Sequence, residues 1–280
     1  MIALNLRISK CLANSQSELR QSGVAEPERE ALLILSHILK IKPGKVLTIS
    51  SGFDSTLERE ADAILKKRCR TRKPLAYIIG ECEFFGLDFM IDENVLIPRQ
   101  ETEILVGTVL EALPDESLIG IDVGTGSGII AISLLSKRSK WKIIGVDISE
   151  PALRIAQKNA LLHNVQDRFL PIRCDALSPL IRADFVVCNP PYIPHKEIHN
   201  LSPEVRCEPI SALDGGEDGF EFINKFVRQG TFLRSSKLIA FEFGWGQSAE
   251  IEKMLLEQKL NFEIINDLAE IPRVALIYFT

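Results

Sequence analysis

From residue 118 onward, the apolar positions come in short unbroken runs, three of them followed by a stretch with helical spacing. "LIGIDV" (118–123) is such a run, and "IIAISLLSK" (129–137) is the periodic stretch after it. "KIIGVD" (142–147) precedes "EPALRIAQKNALLHN" (150–164), where Pro151 suits the first turn of a helix. "RFLPIRCD", "ADFVVC" and "KLIAFEF" give three more runs, and the helix "SAEIEKMLLEQK" follows the last of them. "FEIIND" and "VALIYFT" close the chain as an expected antiparallel pair. Buried strands alternating with amphipathic helices predict an α/β fold with a doubly wound, mainly parallel seven-stranded sheet.

The first 75 residues have a different rhythm. In "PEREALLILSHILK", Pro27 fits the first helical turn and apolar residues then recur at helical spacing. "STLEREADAILKKRCR" opens with Ser55 and Glu58 at capping-box spacing and has to end before Pro74. No strand pattern interrupts this part, so a small N-terminal helical bundle is expected. "YIIGECEFFGLDFMID" then turns aromatic and β-branched around Gly86, which predicts a β-hairpin. "LIPRQETEILVGTVLEAL" reads as an extended stretch followed by a helix that starts after Pro98. The expected organisation is a helical bundle over 1–75, a β-hairpin linker over 76–98 and the sheet domain over 99–280.

Composition narrows the class. A chain of 280 residues with 46% hydrophobic and 25% charged positions can bury two cores. No apolar run approaches the ~18 to 20 residues that span a bilayer, and the start lacks the apolar centre of a signal peptide. The six cysteines are scattered with no C-x-x-C pair, which argues against a zinc site or a disulfide framework. A cytoplasmic protein with no metal and no membrane partner is expected. Residues 1–75 hold 14 Lys and Arg against 8 Asp and Glu, whereas the rest hold 19 against 30. The basic cluster Lys66, Lys67, Arg68, Arg70, Arg72 and Lys73 either steers an acidic partner or RNA, or is a solvated helix end favoured by the macrodipole.

Candidate chemistry begins at "DVGTGSG", Asp122 to Gly128, between the first sheet strand and its helix. Glycines let the backbone approach a ligand, and the helix start offers free N–H groups. Asp147 ends the second strand, 19 residues beyond Gly128, where a carboxylate can accept both hydroxyls of a ribose. Three readings stand: a dinucleotide site, since Gly126 to Ala131 satisfies G-x-G-x-x-A; an S-adenosylmethionine site; or a turn that serves packing alone. Asp122 favours the second, because it would repel a pyrophosphate and suit an ammonium group.

The fourth strand ends in Asn189-Pro190-Pro191-Tyr192, at the sheet edge where doubly wound folds place ligands. The Asn189 side-chain carbonyl and the Pro190 main-chain carbonyl can each accept one hydrogen of an –NH₂ group. Prolines fix φ and bring no competing N–H, and Tyr192 offers a ring against a flat group. Such a fork suits an amide or an exocyclic amine. Holding both hydrogens favours a pyramidal nitrogen whose lone pair faces a methyl donor, so positioning and electrostatics would do most of the catalysis.

These stretches together resemble the release factor glutamine methyltransferases (PrmC/HemK). The resemblance is carried by "LIPRQETE", "DVGTGSG", "VDIS", "NPPYI" and "LSPEVRCEPISALDGGEDG". It implies a class I S-adenosylmethionine-dependent methyltransferase domain, preceded by a helical substrate-recognition domain. The implied reaction is methylation of the glutamine side-chain amide in the Gly-Gly-Gln motif of peptide chain release factors. S-adenosyl-L-methionine would lie against Gly124, Thr125, Gly126, Ser127, Gly128 and Asp147, with Asp175 and Ala176 near its adenine. Asn189, Pro190, Pro191 and Tyr192 would grip the glutamine, with Asn189 also near the donor and Asn189, Pro190 and Tyr192 catalytic. Arg99 and Glu101 would support the walls, and Glu204, Glu208 and Pro209 would order the following loop. The chain departs from the family at "DLAEIPR", where Glu270 replaces a glycine while Asp267 and Arg273 remain, so a different turn is expected there. The same corner also serves methylation of adenine or cytosine amines in nucleic acid. A sheet domain this acidic is poorly suited to phosphates, so stable nucleic-acid binding is not expected.

Overall fold

The computed structural model describes residues 6–49, 52–176, 183–232 and 236–279. They divide into two compact units. One holds the described residues up to Gly80 together with Ser202–Cys207; the other holds Glu81–Leu201 and the chain from Glu208 onward.

The first unit is helical: α1 (Leu6–Gln21), α2 (Pro27–Leu39), the short α3 (Pro43–Val46), α4 (Ser55–Thr71) and α5 (Leu75–Ile79). Ile8, Leu19, Ile34, Leu35 and Leu65 close its core. The cap of α4 lies one residue earlier than the capping-box spacing suggests. Asp54 accepts from the N–H groups of Thr56 (2.8 Å) and Leu57 (3.0 Å), because Ser55 is already helical. The basic cluster is not a uniformly solvated helix end. Arg68 is 1% exposed and forks onto Glu30 at 2.7 and 2.9 Å, with a third bond to Glu204 at 3.0 Å. Arg72 also bonds Glu204, at 2.7 Å. Two of the six cations are thereby spent inside this unit, and Glu204 serves it rather than ordering the loop alone.

The segment 76–98, expected as a linker, is divided. α5 completes the helical unit, with Leu75 in its core, while the hairpin β1 (Glu81–Phe84) and β2 (Leu87–Met90) belongs to the sheet unit. Phe85 and Gly86 form its turn with φ of 53° and 74°, the left-handed pair a two-residue hairpin needs. Phe84 and Phe89 enter the core of the sheet unit.

The sheet unit continues through α6 (Thr102–Ala112), β3 (Ile119–Val123), α7 (Ile129–Lys137), β4 (Lys142–Asp147), α8 (Glu150–Leu162), β5 (Phe169–Arg173) and β6 (Phe185–Cys188). Three short 3₁₀ turns between His195 and Ala212 lead to α9 (Glu221–Phe232), β7 (Leu238–Glu242), α10 (Ser248–Glu257), β8 (Asn261–Asn266) and β9 (Pro272–Tyr278). The seven strands lie in the order β5-β4-β3-β6-β7-β9-β8. All pairs are parallel except those of β9, which runs antiparallel to both β7 and β8.

Burial on both faces explains the unbroken apolar runs. Phe185 and Val187 of β6 face the core built with α6, α7 and α8, and Val186 and Cys188 face the core built with α9 and α10. Gly120 of β3 makes room for Phe185: a Cβ there would stand 2.3 Å from its ring. The strand order reverses between β3 and β6, so a crevice opens beyond the carboxyl ends of these two strands.

Candidate active site

Both sequence features that carry chemistry end at this crevice. After β3 the chain turns through Gly124, Gly126 and Gly128, with φ of 70°, 56° and 82°, a conformation open chiefly to glycine. The N–H groups of Gly124 and Thr125 both donate to the Val146 carbonyl, at 2.9 and 3.0 Å, which seats the turn on β4. Asp147 at the end of β4 accepts from Gly126 N–H at 2.9 Å and from Ser149 N–H at 2.8 Å.

A cavity here is lined by Gly124, Gly126, Asp147, Asp175, Ala176 and the corner Asn189-Pro190-Pro191. Val95 and Leu96 add an apolar wall, and Pro209 and Phe222 add another. Asp175 is held by Lys225, whose Nζ lies 2.9 Å from each carboxylate oxygen.

Four expected site residues are not part of this wall. Thr125 is buried and donates its hydroxyl to Asp122 at 2.7 Å. Ser127 is buried, and its carbonyl accepts from Asn159 Nδ2 at 2.9 Å. A Cβ at Gly128 would meet Ile132 at 2.8 Å and Ala156 at 3.2 Å, so this glycine serves helix packing. Tyr192 stands behind the corner: its ring lies against Gly244, and its hydroxyl donates to Glu242 at 3.4 Å.

Asp122 also departs from expectation. It is fully buried and takes bonds from Thr125 Oγ1 and Ala131 N–H, so it braces the turn and does not face a ligand's ammonium group. Burial pushes its carboxyl up to about 7, against the pull of those two bonds.

Asn189 Nδ2 donates to Thr102 Oγ1 at 2.9 Å, and Thr102 Oγ1 donates to Glu242 Oε2 at 2.7 Å. Glu242 is 1% exposed, and burial raises its carboxyl to about 7. The chain leaving the corner is pinned as well. Ile193 N–H donates to the Leu213 carbonyl at 3.0 Å, and Gly215 N–H returns a bond to the Ile193 carbonyl at 2.9 Å. Gln247 Nε2 holds the Tyr192 carbonyl at 3.1 Å. Arg99 bonds Glu208 at 2.7 Å, and Glu208 also accepts from Ile97 N–H at 3.1 Å, which ties the entrance of α6 to the loop beyond the corner.

Two family models match the chain: the PrmC N-terminal domain over residues 10–80 and the methyltransferase small domain over residues 100–209. A release factor glutamine methyltransferase of Aquifex aeolicus is 34% identical, over 92% of this chain and 94% of its own. One from Nitratidesulfovibrio vulgaris is 37% identical, over 94% of this chain and 92% of its own. The chain belongs to the release factor glutamine methyltransferase family. Its fold is that of the class I methyltransferases. The human Mettl16 catalytic domain, solved with an RNA hairpin, superposes with a TM-score of 0.60 at 18% identity, covering 82% of this chain and 84% of that one. The N-terminal domain of human METTL16, solved in complex with SAH, superposes with a TM-score of 0.53 at 17% identity, covering 88% and 94%.

In this member of the family, sequence reasoning missed Thr102, Glu242, Gln247 and Lys225. Glu242 had a signal: it is a lone acid inside the otherwise apolar run "LIAFEF". Thr102 had one too, lying within "PRQETE" beside Glu101.

Proposed function

We propose that this protein transfers the methyl group of S-adenosyl-L-methionine to the side-chain amide nitrogen of the glutamine in the Gly-Gly-Gln motif of peptide chain release factors. The observation that carries this reading is the single cavity wall shared by Gly124, Gly126, Asp147, Asp175, Ala176, Asn189 and Pro190, in a chain of this family.

The residues fit such a donor. A Cβ built on Gly124 meets no atom within 4 Å, so the space beside this backbone is left for a ligand. Gly124 and Gly126 would admit the donor close to the turn, Asp147 would accept its ribose hydroxyls, and Asp175 and Ala176 would border the adenine. The donor supplies an electrophilic methyl group on a sulfonium. The chain supplies geometry: Asn189 Oδ1 and the Pro190 carbonyl accept the two amide hydrogens and hold the nitrogen in line. Thr125, Ser127, Gly128 and Tyr192 act one layer behind, shaping the turn and the corner. The helical unit would read the body of the release factor.

A release-factor substrate implies a cytoplasmic setting; among the described residues no helix is long and apolar enough to cross a membrane. The test is incubation of the protein with labelled donor and a purified release factor, beside a release factor whose Gly-Gly-Gln glutamine is replaced. Label is expected only on the first. Label on both, or transfer to naked RNA or DNA instead, would overturn the reading.

A further inference from the structure

The corner is backed by a chain of bonds that runs from Asn189 through Thr102 to Glu242 and on to Tyr192. We propose that Glu242 is a positioning residue that, through Thr102, sets which end of the Asn189 side-chain amide faces the cavity. This rests on the reading of the corner as an amide-binding fork.

The argument is a count of hydrogens. Thr102 has one hydroxyl hydrogen, and an ionised carboxylate can only accept. At 2.7 Å, Thr102 gives that hydrogen to Glu242 Oε2. Its oxygen is then an acceptor only, so Asn189 must turn its –NH₂ toward Thr102, as the 2.9 Å bond from Nδ2 shows. The carbonyl end, Oδ1, points the other way. Without the acceptor on Glu242, the Thr102 hydrogen is released to bond Oδ1, and the amide can rotate by half a turn. The cavity would then meet an –NH₂ donor, which repels the hydrogens of a substrate amide.

The site is built for this constraint. Thr102 is fully buried and Glu242 nearly so, which strengthens these bonds and makes an unpaired group costly. Tyr192 from the corner, Glu101 at the start of α6 and Arg273 on β9 are the titratable groups that act on Glu242, and Glu242 in turn helps to raise the Cys188 thiol on β6. Burial is the largest influence on its carboxyl and raises it to about 7; the Thr102 bond opposes this, Glu101 adds to it, and Tyr192 and Arg273 oppose it. Protonation puts an O–H on Glu242 that can donate to Thr102 and release the same hydroxyl hydrogen. Turnover should therefore fall as pH drops through this range, and Glu242→Gln should remove that dependence.

The test compares the full-length protein with Thr102→Val, Thr102→Ser and Glu242→Gln. Thr102→Val is expected to lower kcat by about tenfold or more while leaving donor affinity unchanged. Thr102→Ser, which keeps the hydroxyl, should restore kcat. The natural protein should lose activity on the acid side between about pH 8 and 6, and Glu242→Gln should show no such limb. Full kcat in Thr102→Val, or the same acid limb in Glu242→Gln, would overturn the proposal. The orientation is also read without turnover, from the side-chain amide signal of Asn189 in ¹H–¹⁵N spectra, assigned with Asn189→Asp. Its protons should be protected from exchange in the natural protein and in Thr102→Ser, and unprotected in Thr102→Val. Absence of methylation by the natural protein would remove the release-factor reading, whereas an unprotected Asn189 amide in the natural protein would remove this one.

Discussion

Gly126 donates its N–H to Asp147 Oδ2 at 2.9 Å, so the carboxylate that ends β4 holds the glycine turn that follows β3. Its other oxygen accepts from Ser149 N–H at 2.8 Å. One side chain thus fixes two loops on the cavity wall, and its oxygens have further lone pairs that can accept from a ligand's hydroxyl groups. Asp147→Ala is expected to weaken donor binding by about 2 to 3 kcal/mol, roughly 30- to 150-fold in Kd. Titration calorimetry with S-adenosylmethionine or its demethylated product measures this, and an unchanged Kd would refute the ribose role.

Asp122 gives a pH prediction with a defined sign. Its folded carboxyl is raised to about 7 by burial, above its ordinary value of 3.8. Among the described residues, its Oδ1 has no hydrogen-bond partner. The folded state therefore keeps a proton that the unfolded state releases, so Asp122's contribution to stability is complete below 3.8 and is lost as pH rises through about 7. Asp122→Asn does not titrate. The stability difference between the two proteins should shift in favour of the variant from about pH 5 to about pH 8. Urea denaturation at both values checks it; a constant difference would contradict it.

The sheet was legible because its strands are buried on both faces and read as unbroken apolar runs; β4 lies where "KIIGVD" puts it. The glycine turn and the corner were legible because their residue types are restricted by backbone geometry. The helix α9 was not anticipated, since it follows a glycine-rich acidic stretch that obscures its start. The true cap of α4 was missed because Asp54 and Ser55 are both good capping residues and only backbone conformation separates them. Thr102 meets Asn189 across 87 residues and Glu242 across 140, a relay that only the sheet topology creates. The sequence also could not show that Ser127 and Tyr192 stand behind the wall, because that depends on how tightly Asn159 and Gly244 pack against them.

Glu270 has φ of 60°, the left-handed conformation a glycine adopts freely. Asp267 holds the turn by accepting from the N–H groups of Ala269 (2.8 Å) and Ile271 (3.0 Å), and Arg273 bonds it at 3.1 Å. Arg273 therefore anchors the turn before β9. Glu270→Gly is expected to stabilise the protein by about 0.5 to 1 kcal/mol, after allowance for glycine's greater freedom in the unfolded chain. A higher urea midpoint would support this, and an unchanged or lower one would contradict it.

The claim that organises the site is that Asn189 immobilises a planar –NH₂ beside the methyl donor. Single-turnover methylation of a release factor by Asn189→Ala, with donor affinity measured in parallel, tests it most directly. The account predicts a rate lower by about 100-fold or more with the fold intact and the donor still bound. A variant that transfers the methyl group at close to the natural rate would contradict it.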